Sequence, residues 1–172
     1  QTAGRHPVVE CGVPPYADPA RRDFTINAIA YPPKTDEIRD PYDGRKDIER
    51  KIIRAVGNPR DRMREDRLRA LRAIRFGARF GFEIDPATWA AIVESAPYMN
   101  RLSAERVKQE IEKTMEQVPL PSNAFAKWRD SGAFATLIPS LAKITGQQLK
   151  PLDHLRRPLL PSRPARKSTR LA

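Results

Sequence analysis

Cysteine is almost absent. The single thiol, Cys11, excludes an internal disulfide framework and a zinc knuckle. Histidine is nearly as scarce: His6 and His154 stand far apart and make no metal-ligand spacing. No apolar run approaches the ~20 residues that a membrane-crossing helix needs. No hydrophobic stretch follows Gln1–Arg5, so no signal peptide is expected there. The chain opens on Gln1 rather than methionine, which reads as a start inside a longer, cytosolic protein. Aromatic residues make up 7% of the 172, enough for a modest core, and no tandem repeat is present.

What is abundant is positive charge. Lys and Arg number 32 against 21 Asp and Glu, a formal net charge of +11. The excess is uneven: residues 1–100 carry net +3 and residues 101–172 net +8. Seven basic residues (Lys150, Arg156, Arg157, Arg163, Arg166, Lys167 and Arg170) face only Asp153 in the last stretch. Such a balance suits polyanionic partners, nucleic acid above all, or else a solubilising tail.

The organisation changes near Asn58-Pro59. Before it, Pro7-Val8-Val9 suggests a short strand, and three prolines between Gly12 and Pro19 a loop. Asp18-Pro19 predicts a helix over about Ala20–Tyr31, stopped by Pro32-Pro33. Glu37–Arg39 and Lys51–Val56 read as strands, with a turn at Asp43-Gly44-Arg45 and a helical turn at Asp47–Arg50. After Asn58 the pattern is helical: one long helix from Pro59 to Phe80 ended by Gly81, then helices over about 86–96, from Ser103 to Val118, over Ser122–Ser131 and over Ala133–Thr145 with a break at Pro139. Residues 147–172 read as loop, or as part of a domain that continues past Ala172.

The helix around Glu65–Phe80 is the most informative stretch. On a helical wheel Arg69, Arg72, Arg75 and Arg79 fall within a sector of about 120°, opposite Leu71, Ile74 and Ala78. Four guanidiniums in one stripe need a counter-surface of acidic side chains, phosphates or solvent. Glu65 and Asp66 lie one turn earlier, within reach of Arg69. One reading is a solvated face with intrahelical ion pairs. The other is base recognition. A carboxylate accepts from the exocyclic amino group of cytosine or adenine, and a guanidinium donates to cytosine N3/O2 or adenine N1. Guanine and uracil present a carbonyl where that amino group would be. An Asp66/Arg69 pair thus suits C and A, and leaves Arg72 and Arg75 for phosphates. The Arg21–Ala28 block offers polar groups for ribose and phosphate, or is simply a capped amphipathic helix.

Three strings in order, RRDFTINAIA (Arg21–Ala30), DPYDGRKDIERKIIRAV (Asp40–Val56) and EDRLRALRAIRFGARFGF (Glu65–Phe82), resemble the class II tRNA nucleotidyltransferases, which comprise CCA-adding enzymes and bacterial poly(A) polymerases. The resemblance continues through RLSAERVKQEIEKTM (Arg101–Met115) and FAKWRDSGAFATLIPSL (Phe125–Leu141) and covers roughly residues 5–145. It implies that Arg22 and Asp23 sit at the triphosphate and ribose, that Asp66 and Arg69 form the protein template for the base of CTP or ATP, and that Arg72 and Arg75 complete the pocket. Asp43–Asp47 would match a flexible element that helps switch from C to A addition. Arg67 departs from a position that is often proline in the family.

A larger departure concerns the metal. The family's Gly-Gly…Arg-Asp loop and Asp-x-Asp pair, whose carboxylates hold two Mg2+ ions, are absent from the residues before Arg21. The resemblance therefore implies the nucleotide-selecting half of an enzyme, inactive alone, with no metal ligands in this chain and with tRNA or another RNA 3′ end as partner of the whole. The alternatives are a poly(A) polymerase of the same family, a non-catalytic helical RNA-binding module, and a helical protein adaptor whose arginines pair with acidic side chains. The expected fold class is α+β. Residues 1–57 form the C-terminal part of a nucleotidyltransferase head, with a sheet edge left open. Residues 58–145 form an all-α neck bundle, and residues 146–172 a basic tail. The expected neck core is Leu71, Ile74, Phe76, Trp89, Ile92, Val107, Ile111, Met115, Phe125, Trp128, Phe134 and Leu137.

Overall fold

In the computed structural model, residues 21–31 and 37–155 are described. The strand expected at Pro7–Val9, the helix start at Asp18-Pro19 and the basic residues from Arg156 onward lie outside them. The elements are α1 (Gly44–Arg50), β1 (Ile52–Ile53), α2 (Pro59–Glu65), α3 (Leu68–Phe80), β2 (Glu83–Ile84), α4 (Pro86–Ser95), α5 (Ala104–Gln117), α6 (Pro121–Asp130), α7 (Ala133–Leu137) and α8 (Gly146–Leu149). Short 3-10 turns occupy Thr25–Asn27, Ala96–Arg101, Pro139–Leu141 and Lys150–His154.

The helix starts follow their capping residues. The Asn58 side chain accepts from the Arg60 amide at 2.9 Å, with Pro59 in the first helical position. Asp85 accepts from the Thr88 amide and Ser103 from the Arg106 amide. Gly81 ends α3 in the left-handed conformation, φ 67°. One expectation fails here: Pro59–Phe80 is two helices. Asp66 leaves the helix at φ −150°, ψ 108°, and its carboxylate accepts from the Leu68 amide at 3.0 Å. A short acidic side chain competes with the helix for backbone donors, so Asp66 ends α2 and caps α3.

The continuous helix expected over Ala20–Tyr31 is likewise not formed in its described part. After Arg21, the turn Thr25–Asn27 is helical; Phe24 bridges Ala55 and Ala30 bridges Arg39, both antiparallel. The Asn27 side chain accepts from the Phe24 amide, which takes a backbone donor away from a continuous helix. Glu37–Arg39 contributes only that one bridge. Before α1, the Asp40 carboxylate accepts from the Gly44 and Arg45 amides. A Cβ on Gly44 would lie 2.2 Å from the Thr25 carbonyl oxygen, so only glycine fits that approach.

A strand that the sequence did not announce, β2, pairs parallel with β1, Ile52 opposite Glu83 and Ile53 opposite Ile84. Two residues are too few to show alternation. The connection between these strands is α2 and α3. At the other end, Leu149 is buried, and the Ser122 amide and hydroxyl both donate to Asp153, at 2.9 and 2.7 Å. The described residues after 146 are thus packed helical turns rather than the expected loop.

One core runs through these elements. Phe24 and Ile53 are buried in it together with Leu71, Ile74, Ile92, Val107, Phe125, Trp128 and Phe134. Phe76, Trp89, Ile111, Met115 and Leu137, also expected inside, pack against it partly buried. The rings of Phe125, Trp128 and Phe134 lie 5.5 to 6.1 Å apart and close the far end. Met63, Met99, Val118 and Leu149 complete the core.

Leu71 is fully buried. Leu71→Ala is expected to cost about 2–5 kcal/mol in urea unfolding, whereas Leu71→Asp, which buries an unpaired charge, is expected to abolish the cooperative transition.

Candidate nucleotide-binding site

The arginine stripe of α3 divides. At its N-terminal end Arg69 Nε and Arg72 Nη2 converge on the two oxygens of Asp23, at 2.9 and 2.8 Å. At its C-terminal end the Arg75 guanidinium is buried against Glu110 of α5 and donates to Gln117 at 2.9 Å. Arg79 also reaches Gln117 and lies over the Phe80 ring. Asp23, Asp66, Arg69 and Arg72 therefore gather around the α2–α3 break, with the Arg22 carbonyl beside them, while Arg75 stands apart, inside the α3–α5 interface. The counter-surface of Arg69, Arg72 and Arg75 is acidic and comes from this chain.

The expected Asp66–Arg69 proximity is arranged through neighbours. Glu65, not Asp66, takes the Arg69 guanidinium, and it also takes Arg62. Asp66 Oδ2 accepts from Arg106 Nη2 at 2.7 Å, and Arg69 Nη1 donates to the Arg62 carbonyl at 2.9 Å. Arg62 Nη2 donates to the Arg22 carbonyl at 2.6 Å, which fastens the residues before Phe24 onto α2. Arg62 and Arg106 were missed in the sequence. Arg62 carries a local signal, its (i, i+3) spacing to Glu65. Arg106 carries none, because only tertiary packing brings α5 to Asp66.

These contacts set the charge states. The hydrogen bond from Arg69 holds the Glu65 carboxyl below its ordinary value, with Arg62 adding to it. Burial pushes Asp66 up, but the bonds from Arg106 and the Leu68 amide outweigh it and leave Asp66 below its ordinary value. Burial likewise pushes Arg69 down, and Glu65 and Asp23 more than restore it. All three groups are ionised at neutral pH.

A second network lies on the other side of Thr25. Its hydroxyl donates to the buried Asp47 at 2.7 Å; Arg54 joins Asp47, at 3.1 Å, to Asp85, at 2.6 Å. The Asp43–Asp47 segment is thus anchored at its Asp47 end, while Asp43 is exposed and pairs with Lys46. Among the described residues there is no group of three or more His, Cys, Asp or Glu side chains that could hold a metal ion.

Residues 4–54 match the family described as the poly A polymerase head domain, and residues 81–145 the family described as a probable RNA and SrmB-binding site of polymerase A. The CCA-adding enzyme of Geobacillus kaustophilus (strain HTA426) is 41% identical over 149 residues, 87% of this chain and 36% of that protein. The crystal structure of the Bacillus stearothermophilus CCA-adding enzyme in complex with CTP superposes with a TM-score of 0.69 at 42% identity, covering 80% of this chain and 34% of that one. The Thermotoga maritima CCA-adding enzyme complexed with tRNA gives 0.65 at 32% identity over 70% of this chain and 30% of that one. The chain thus spans about a third of the length of these relatives. Its strands and helical bundle are part of a nucleotidyltransferase head joined to a helical neck. The chain belongs to the class II CCA-adding enzyme family.

Because the folded values of Glu65 and Asp66 lie below the ordinary 4.5 and 3.8, the stability they contribute is complete above those values and is lost as pH falls through the lower folded ones. Thermal midpoints measured down an acid series should therefore drop in that window, and the double variant Glu65→Gln/Asp66→Asn should flatten the drop. Glu110→Ala strands the buried Arg75 charge and is expected to cost about 3–5 kcal/mol in denaturant unfolding.

Proposed function

We propose that this chain is the nucleotide-selecting part of an enzyme that transfers CMP and AMP from CTP and ATP to the 3′ end of tRNA, releasing pyrophosphate. The observation that carries this reading is the Asp66 carboxylate and the Arg69 guanidinium standing at the same α2–α3 break, each held by other partners and each with hydrogen-bonding capacity left over. Each Asp66 oxygen holds one donor and keeps a second lone pair. The contacts of Arg69 use Nε and Nη1 and leave Nη2 outside them. Asp66 accepts from the amino group of cytosine or adenine and Arg69 donates to the adjoining ring nitrogen. Arg22 and Arg72 take phosphate oxygens, and Asp23 holds the ribose side and keeps Arg69 and Arg72 from repelling each other. Arg75, expected in the pocket, is instead buried on Glu110, where it fixes α3 against α5 behind it. Likeness to an enzyme solved with CTP supports the assignment.

Nucleotidyltransferases normally use divalent metal ions, and Mg2+ enters here as a partner of the whole protein; no step of the transfer runs through the side chains described above. No described helix is long and apolar enough to cross a membrane, and we place the reaction in the cytoplasm. A poly(A) polymerase of this family differs in taking ATP alone, and an RNA-binding module or an adaptor in taking neither nucleotide.

Calorimetry with the four nucleoside triphosphates, with and without Mg2+, separates these readings. CTP and ATP are expected to bind at least about tenfold more tightly than GTP and UTP, whose carbonyls oppose Asp66. Arg69→Ala is expected to weaken CTP and ATP while leaving helix content unchanged, since alanine favours helix. Equal affinity for all four, or an unchanged affinity in the variant, overturns the template assignment.

A further inference from the structure

Arg62 is the buried arginine of α2. Its side chain is 12% exposed, against 64% for Arg60 and 61% for Arg64 on the same short helix. Both terminal nitrogens are in use. Nη1 donates to Glu65 Oε2, and Nη2 donates to the Arg22 carbonyl at 2.6 Å. The main-chain carbonyl of Arg62 accepts from Arg69 Nη1 at 2.9 Å. Glu65 Oε2 accepts from that same Arg69 Nη1. One carboxylate oxygen thus stands between two guanidiniums. Arg62 Nε is buried and has no hydrogen-bond partner among the described residues.

A buried guanidinium with one donor left over is a poor device for stability, because an apolar side chain would avoid its desolvation. Placement accounts for it better. Three acceptors hold Arg69. Asp23 takes Nε, and the two that take Nη1 are the Arg62 carbonyl and the carboxylate that Arg62 also grips. Guanidiniums and carboxylates favour a two-point, side-by-side pairing. Glu65 is half exposed and one helical turn from Arg69, close enough to adopt that pairing. A two-point grip would close on Nη1 and Nη2 together. Building on the template reading above, we propose that Arg62 is a specificity-determining positioning residue. By claiming Glu65 Oε2 it confines the Glu65–Arg69 bond to Nη1 and keeps the Nη2 donor of Arg69 open for the base of the nucleotide. Its other donor, on the Arg22 carbonyl, fixes how far that open donor stands from the Arg22-Asp23 backbone. Arg62 acts through Glu65 and Arg69, not on the nucleotide itself.

The test is calorimetry of CTP, ATP, GTP and UTP on the intact protein and its variants, beside thermal midpoints of the same samples. Arg62→Met keeps an apolar stem in the buried position but releases Glu65. It is expected to weaken CTP and ATP about tenfold and to leave GTP and UTP nearly unchanged, so that the preference collapses. The double variant Arg62→Met/Glu65→Gln should regain most of the preference, because an amide has one acceptor oxygen and cannot grip both nitrogens side by side. Arg62→Lys retains a charge beside Glu65 and should keep both the fold and the preference. A role confined to holding α2 in place predicts instead equal losses for all four nucleotides, in step with the midpoint and without rescue by Glu65→Gln, and that result overturns the proposal. So does a preference that survives Arg62→Met, or one lost in Arg62→Lys at an unchanged midpoint. The lack of any preference in the unaltered protein overturns the template reading itself, and it shows before any substitution is made.

Discussion

Two positive charges on one face of α3 cannot share a small space without an anion, and Asp23 is that anion. It is held at the end of the bridge between Phe24 and Ala55, where the Asp23 carbonyl accepts from Val56 at 3.1 Å. Its carboxylate therefore has a fixed address in the head, and Arg69 and Arg72 are drawn to it from the neck. The direction of α3 relative to the head follows. So does the location of the α2–α3 break, because Arg69 also binds Glu65 and the Arg62 carbonyl on its far side.

The same helix is fixed from three further sides. Leu71 and Ile74 face the core, Gly77 lets the Phe82 carbonyl and the Ile84 side chain come close, and Arg75 enters the α5 interface with Glu110. The Phe24 ring meets Phe76 edge-on at 5.7 Å, so the apolar and polar ties between head and neck lie side by side. A buried ion pair contributes little net stability against an apolar equivalent. Its effect here is on register: Arg75 has one place to go, and α3 cannot rotate against α5 without exposing both charges to an apolar surface.

Much of this was legible in the residues. Asn58-Pro59, Asp85-Pro86, Ser103 and Gly81 mark helix ends because capping is local chemistry, and the structure places the ends there. The arginine stripe was visible because helical spacing is regular. What escaped depends on partners distant in sequence. The wheel puts Arg75 beside Arg69 and Arg72, but cannot know that Glu110 lies opposite it. Asp66 reads as one more helical residue unless its competition for the Leu68 amide is weighed. The broken course of Arg21–Tyr31, one helical turn between two bridge residues, was hidden by the cap signal at Asp18-Pro19, and the pairing of Ala55 with Phe24 decides it. β2 is too short for any period. In the site, the local pair Glu65–Arg69 was in view, whereas Arg106, forty residues on from Asp66, was not.

The parallel pairing of β1 with β2 bears on how the chain is made. Ile53 cannot receive its strand neighbour until Ile84 has been synthesised, and the whole of α2 and α3 lies between them. The head residues emerging from a ribosome thus wait, with Phe24 and Ile53 uncovered, for a segment that belongs to the neck. The residues between the two families' matched segments lie within this connection, so the segments do not mark separate folding units.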